Sequence, residues 1–284
     1  MLTKTKTAKR PAAETAAAQG FFSAEERNFI EGFLEKGYAV IPLEDRRRLD
    51  AVRARIHALG TEHLGLKGPK RPSEADFFDQ TERYVTLEGL NALRLAVING
   101  LNADPSLMPG FFGMARRHIE WVVGNEIAMQ RGINLSIQLP RDASSLLPLH
   151  SDVWDGNSPY EIVLWLPLVD CYKTKSMYVL PRPQSRRANR EFMDKGFNAE
   201  ELFQRIKPEL VWLDVPYGNA VLFTHCLLHG NRVNEEKTTR WTFNIRLKGL
   251  LTPYGAKELG ESFLPATTRP ATRIGFEWGQ DERR

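Results

Sequence analysis

The chain has 284 residues, a net charge of +4 and only two cysteines, Cys171 and Cys226. That length can bury a substantial core in one large domain or two small ones, and two cysteines exclude a disulfide framework. No apolar run approaches the ~20 residues of a membrane span, and so small a charge does not argue for nucleic acid, which leaves a cytoplasmic protein with a small-molecule partner as the expectation.

Residues 1–20 are rich in Lys, Thr and Ala without apolar periodicity and predict a disordered tail. No apolar segment follows the basic opening, so no secretory signal is expected, and a plain tail is favoured over a transit-type presequence. One domain is expected over 21–284. Ser23-Ala24-Glu25-Glu26 has the capping-box pattern, predicting a helix to Lys36 closed by Gly37. Tyr38–Ile41 reads as a strand and 44–58 as an amphipathic helix with Leu49, Val52 and Ile56 on its apolar side. Gly65, Gly68, Pro69 and Pro72 make 60–82 a loop. A helix over Leu87–Leu101 is followed by another from Asp104-Pro105 to about Val123.

The second half reads as strands. Ile133, Leu135, Ile137 and Leu139 alternate with Asn134, Ser136 and Gln138. The segment around His150 and Asp152, then Glu161–Leu168, Met177–Leu180, Glu209–Asp214, Ala220–Thr224, Leu227–Val233 and Thr239–Lys248 are further strands, with a helix over 198–207. Residues 249–284 read as irregular. In the last predicted strand Arg240, Thr242, Asn244 and Arg246 share one face, and Trp241, Phe243 and Ile245 the other. Repeated polar faces opposite large apolar ones predict a mainly β core in an α+β fold. The N-terminal helices then cover the apolar outside of a barrel whose polar interior is a site.

His150 and Asp152, two apart on a predicted strand, point the same way. With His229 they offer two imidazoles and a carboxylate, the ligand set of a facial Fe(II) centre with open positions. An H-x-D triplet alone has low specificity, and His225, four residues before His229, is an alternative ligand on the same predicted face.

The context around these residues resembles the phytanoyl-CoA dioxygenase family of Fe(II)/2-oxoglutarate-dependent oxygenases. Gly218-Asn219-Ala220-Val221-Leu222-Phe223 leads into His229, and Asn234 and Arg240 follow five and eleven residues on. Gly37-Tyr38-Ala39-Val40-Ile41 is similar to the family's first strand. Ser136-Ile137-Gln138-Leu139-Pro140, Leu164-Trp165-Leu166-Pro167-Leu168 and Lys175-Ser176-Met177-Tyr178 resemble the branch found in carbohydrate gene clusters. The stretch from Cys171 to Ser185 departs from the Pro-Gly-Ser-His segment of many members, which argues against an acyl-CoA substrate.

The resemblance implies a double-stranded β-helix of the jelly-roll, cupin-like kind. It implies Fe(II), 2-oxoglutarate and O2, with succinate and CO2 as products. It favours His229 over His225, so His150, Asp152 and His229 become the metal ligands. Asp152 also favours hydroxylation over halogenation, since halogenating relatives lack this carboxylate. A guanidinium suits a carboxylate, and Arg240 is expected to hold the far end of 2-oxoglutarate. Ser136, Gln138 and Asn234 are expected near the cosubstrate or metal.

Asn134, Trp154, Tyr178, Arg182 and Arg246 are candidate substrate contacts, Arg246 alternatively pairing with a buried acid. With Arg186, Arg187 and Arg190, Arg182 suggests an anionic, carbohydrate-type or natural-product substrate. The competing readings are a cupin-like metal hydrolase or isomerase, and a non-catalytic carbohydrate-binding module.

Overall fold

A computed structural model describes residues 18–196 and 198–281. Of the expected tail, 1–17 lie outside those residues, and Ala18–Phe21 form a 3-10 turn. Helix α1 (Ala24–Lys36) starts where the Ser23 side chain accepts the Glu26 N–H at 3.1 Å. It ends where Gly37 adopts φ 80°, a left-handed conformation that costs glycine little. Strand β1 (Tyr38–Pro42) and helices α2 (Arg46–His63), α3 (Glu74–Asp79), α4 (Leu87–Asn102), α5 (Leu107–Met114) and α6 (Arg116–Val123) complete the first half. The second half runs β2 (Ile127–Gln130), β3 (Asn134–Gln138), β4 (Glu161–Pro167), β5 (Tyr178–Val179), α7 (Arg182–Lys195) and α8 (Ala199–Ile206). It continues through β6 (Val211–Trp212), β7 (Asn219–Thr224), β8 (His229–Gly230), β9 (Arg240–Gly249), β10 (Phe263–Thr267) and α9 (Pro270–Asp281).

The fold mixes helices with antiparallel sheet. Among the described residues seven strands form one sheet, in the order β1-β7-β4-β9-β2-β10, with β3 also on β9. A second sheet has the order β6-β5-β8. The large sheet does not close on itself, and its unpaired edges among the described residues lie on β1, β10 and β3. The ten-residue β9 is its spine. Along one edge it pairs with β4, from Pro167↔Thr242 to Glu161↔Lys248. Along the other it pairs first with β3, Gln138↔Arg240 to Asn134↔Asn244, and then with β2. No helix among the described residues is long and apolar enough to cross a membrane.

The helices cover the apolar face of this sheet, as the alternation predicts. Trp241 is fully buried, with ring centroids 5.7 Å from Phe77 and 5.1 Å from Phe78 of α3. Phe243 meets Phe111 of α5 edge-on at 5.1 Å. Each such burial contributes roughly 1.5–3 kcal/mol.

Four local expectations are corrected, and one unassigned stretch gains a helix. The stretch 60–82 is not simply a loop, because α2 runs on to His63 and α3 lies within it. Ser73 caps α3 by accepting the Asp76 N–H, and Phe77 and Phe78 anchor it. The single helix to Val123 is two. Glu44 inserts at the break, its N–H donating to Met114 O at 2.9 Å and its carboxylate accepting the Arg117 N–H at 2.8 Å. Residues 182–195, where no element is predicted, form a helix, and Pro183 falls in its first turn, where no N–H is needed. Residues 249–284 contain β10, which carries Pro265 at a sheet edge where proline is tolerated, and α9. Finally, the segment of His150 and Asp152 is not a strand. His150 makes one isolated bridge, Ser151 is extended, and Asp152–Asp155 turn as a 3-10 helix closed by Gly156 at φ 79°.

Candidate functional site

The short strand β8 sets the site. His150 donates its N–H to His229 O at 3.0 Å, and His229 donates back to His150 O at 2.9 Å. Directly opposed residues of an antiparallel pair share a face, and the two imidazoles lie 4.2 Å apart. On its other edge β8 pairs with β5, placing Tyr178 opposite Gly230. A Cβ at 230 would sit 2.6 Å from Tyr178 Oη and 2.8 Å from Leu147 O. Glycine after the histidine is therefore a packing requirement.

Both rings are oriented by the same device. His150 Nδ1 lies 2.9 Å from Pro148 O, and His229 Nδ1 lies 3.0 Å from Leu227 O. A carbonyl only accepts, so each Nδ1 carries the proton and each Nε2 keeps its lone pair. Asp152 Oδ2 is 3.8 Å from His229 Nε2. One ligand atom from each of His150, Asp152 and His229 falls within 4.8 Å of the others. Two imidazole nitrogens and one carboxylate oxygen so placed can hold a divalent metal. His225 approaches Asp152 without joining this group. Its Nε2 is 3.8 Å from Asp152 Oδ2, and its Nδ1 is 3.2 Å from Glu161 Oε2.

The protonation states suit metal binding. Burial alone would raise the Asp152 carboxyl, but His229, His225 and Arg246 outweigh it and bring it down to about 2. Burial holds His229 at about 4 and His225 at about 3. At neutral pH the Asp152 carboxylate is ionised and the His229 imidazole is neutral, as coordination requires.

Two cavities share Leu147, Phe223, His229 and Asn244. The larger, about 420 Å³, includes His150, Asp152, Asp155 and Arg246 in its wall. The other, about 300 Å³, draws Ser136, Trp165 and Arg240 from the large sheet and Gly230 from the small one. It therefore lies between the sheets, with His229 in its wall.

Arg240 in that second cavity is electrostatically unusual. It is 3% exposed, and its nearest acceptors are neutral, Ser176 O at 3.4 Å and Ser136 Oγ at 3.3 Å. Its Nε has no partner, and among the described residues no carboxylate forms an ion pair with it. Burial pulls it down to about 10, which leaves it cationic at neutral pH. A buried charge held only by long neutral contacts is costly without a counter-ion.

The other expected residues divide. Ser136 lines the cavity beside Arg240. Gln138 is opposite Arg240 in register, but it donates Nε2 to Arg232 O and lies outside both cavities. Asn234 organises a turn, accepting the Glu236 N–H and donating to Thr238 O. Asn134 is exposed at the start of β3. Trp154 stacks on Phe192 at 4.2 Å and donates to Asn189. Tyr178 is buried beside Phe203 and Trp212. Arg182 donates to Leu34 O at the end of α1, and Arg187 pairs with Glu209. Arg246 lies in the wall of the larger cavity, bound to Asp152.

Asn244, Thr242 and Arg94 also line the site, and no role was expected for them. For Thr242 and Asn244 the signal was present in the alternation of β9. Arg94 sits on α4 and carries no local signal.

No family model matches the sequence, and a search of curated proteins finds no match. Solved structures do resemble it. One is described as a non-heme monooxygenase, ThoJ in its apo form, with TM-score 0.50, 13% identity and 84% of each chain covered. Another is the non-heme alpha ketoglutarate dependent carbocyclase SnoK from nogalamycin biosynthesis, with TM-score 0.49 and 18% identity over 87% of this chain and 97% of that one. A third is HygX from Streptomyces hygroscopicus with nickel and 2-oxoglutarate bound, with TM-score 0.45 and 14% identity over 82% and 89%. The likeness to ThoJ shows a shared fold.

Proposed function

We propose that this protein is an Fe(II)- and 2-oxoglutarate-dependent dioxygenase that oxidises a C–H bond of a small polar substrate and releases succinate and CO2. The reading includes a double-stranded β-helix built from the two sheets, as one domain over 21–284. His150, Asp152 and His229 would hold the iron. Their fit rests on the paired Nε2 lone pairs and the ionised carboxylate. The observation that carries the reading is Arg240, a buried guanidinium without a carboxylate partner in a cavity that His229 also lines.

A dicarboxylate whose one end binds the metal would present its other end to this arginine, which offers two parallel N–H groups. With iron and O2, 2-oxoglutarate supplies an oxidant able to abstract hydrogen from an unactivated C–H bond. The chain's own task is to orient and enclose. Phe223 packs its ring 4.8 Å from that of His229. Asn231 fixes the segment over the cavity, accepting the Leu147 N–H at 2.6 Å and donating its own N–H to Leu147 O at 2.9 Å.

The larger cavity, with Asp155, Asn244 and Arg246 in its wall, is the proposed substrate side. The substrate proposed is of carbohydrate or natural-product type, which rests on the resemblance to the carbohydrate-cluster branch. The anionic part of the expectation loses the Arg182–Arg190 cluster as support, because α7 directs Arg182 to Leu34 and Arg187 to Glu209. A cupin-like metal hydrolase or isomerase, or a binding module, would not need Arg240.

Calorimetric titration of 2-oxoglutarate into Mn(II)-loaded protein tests the reading. Saturable binding is expected for the wild type, with little or none for Arg240→Met. Equal binding by both proteins would sink it.

A further inference from the structure

We propose that Arg246 is a positioning residue for the metal centre, aiming Asp152 so that one oxygen alone faces the histidines. The inference rests on the metal reading above. Arg246 Nη2 donates to Asp152 Oδ1 at 2.9 Å, while Oδ2 stands 3.8 Å from His229 Nε2. The two carboxylate oxygens thus have different tasks, Oδ1 for the guanidinium and Oδ2 for the metal. The pair is shielded, with 19% of the Arg246 side chain and 6% of Asp152 exposed. A charge-assisted hydrogen bond in such surroundings holds direction as well as charge.

The scaffold makes the aim reliable. Arg246 sits inside the long pairing of β9 with β4, opposite Val163, and its N–H donates to Gln130 Oε1 at 3.3 Å. Asp152, by contrast, lies on a turn with no strand partners of its own, where Asn157 Nδ2 holds its main-chain oxygen at 2.9 Å. Arg246 therefore ties a proposed ligand on a turn to the longest strand among the described residues. A carboxylate limited to one donor atom leaves three of six metal positions open, two for a chelating cosubstrate and one for O2. A carboxylate free to offer both oxygens would close one of them.

The test is calorimetric titration with Co(II), together with the Co(II) absorption spectrum, for wild type, Arg246→Met, Arg246→Lys, Arg246→Gln and Asp152→Ala. Arg246→Met is expected to lose roughly 10–100-fold in Co(II) affinity and to change the spectrum, as removal of a ligand's outer partner does. Lysine, which keeps a charged donor, is expected to bind closer to wild type than glutamine does. This ordering keeps the test decisive should Arg246→Met fail to fold. Unchanged or tighter Co(II) binding by Arg246→Met, or equal binding by the Lys and Gln variants, would overturn the proposal. If Asp152→Ala loses Co(II) while Arg246→Met does not, only the role of Arg246 falls. If Asp152→Ala also binds as wild type, the metal centre itself falls, and the proposal with it.

Discussion

The two faces of β9 solve opposite problems with alternate residues of one strand. Outward, Trp241 and Phe243 pack against aromatic rings of α3 and α5, and the indole N–H of Trp241 reaches Thr81 Oγ1 at 2.9 Å. Inward, Arg240 has an Nε without a partner, Asn244 has an unpartnered Oδ1, and Arg246 is shared with a metal-ligand candidate. The outer face is finished by folding. Among the described residues the inner face keeps buried polar groups without protein partners, as the lining of a site does.

Breaking the outer face should have the largest effect on stability and the smallest on chemistry. Trp241→Ala removes a fully buried indole and is expected to cost about 3–5 kcal/mol in chemical denaturation. The folded fraction should keep its Mn(II) and 2-oxoglutarate affinity. Arg240→Met should do the reverse. Replacing an uncompensated buried charge with an apolar chain is expected to leave stability unchanged or raise it by about 1–4 kcal/mol, while 2-oxoglutarate affinity falls roughly 100-fold or more. A thermal melt and a binding isotherm of the same variant check both signs at once.

Gly230→Ala sharpens the boundary between the faces. Its Cβ would meet Tyr178 Oη and Leu147 O well inside contact distance. An overpacking cost of about 1–3 kcal/mol is expected, with weaker metal binding as His229 shifts. Ser23→Ala, on the N-cap of α1, provides the baseline: about 1 kcal/mol of stability and no change in metal or 2-oxoglutarate affinity.

The same contrast explains what could be read from the residues alone. The faces of β9 and β3 follow from strict alternation, and the structure brings His150, Asp152 and His229 together as their motif spacing suggests. Strand alternation accounts for only half of the convergence of His150 and Asp152. Ser151 is extended, so the alternation holds for that step, and then the chain turns instead of continuing as a strand. What alternation cannot give is how an inward polar group is used. Gln138 and Asn234 have side chains of the right kind at apt positions, yet Arg232 O and the 234–238 turn engage them. Non-local pairing hid β2 and β10, since Pro265 reads as a breaker unless its edge position is known. Helix α7 carries no such signal, since the partners that fix two of its arginines, Leu34 of α1 and Glu209, lie outside the segment.

The central claim is that the three ligands and Arg240 act on one metal-bound dicarboxylate. Anaerobic addition of Fe(II) and then 2-oxoglutarate, followed by visible absorption, tests it most directly. The wild-type protein is expected to develop the weak metal-to-ligand charge-transfer band of a chelated 2-oxo acid, and Asp152→Ala and Arg240→Met to lose it at the same concentrations. A wild-type protein that binds Fe(II) and develops no band, or an Arg240→Met protein that develops it undiminished, would contradict the account.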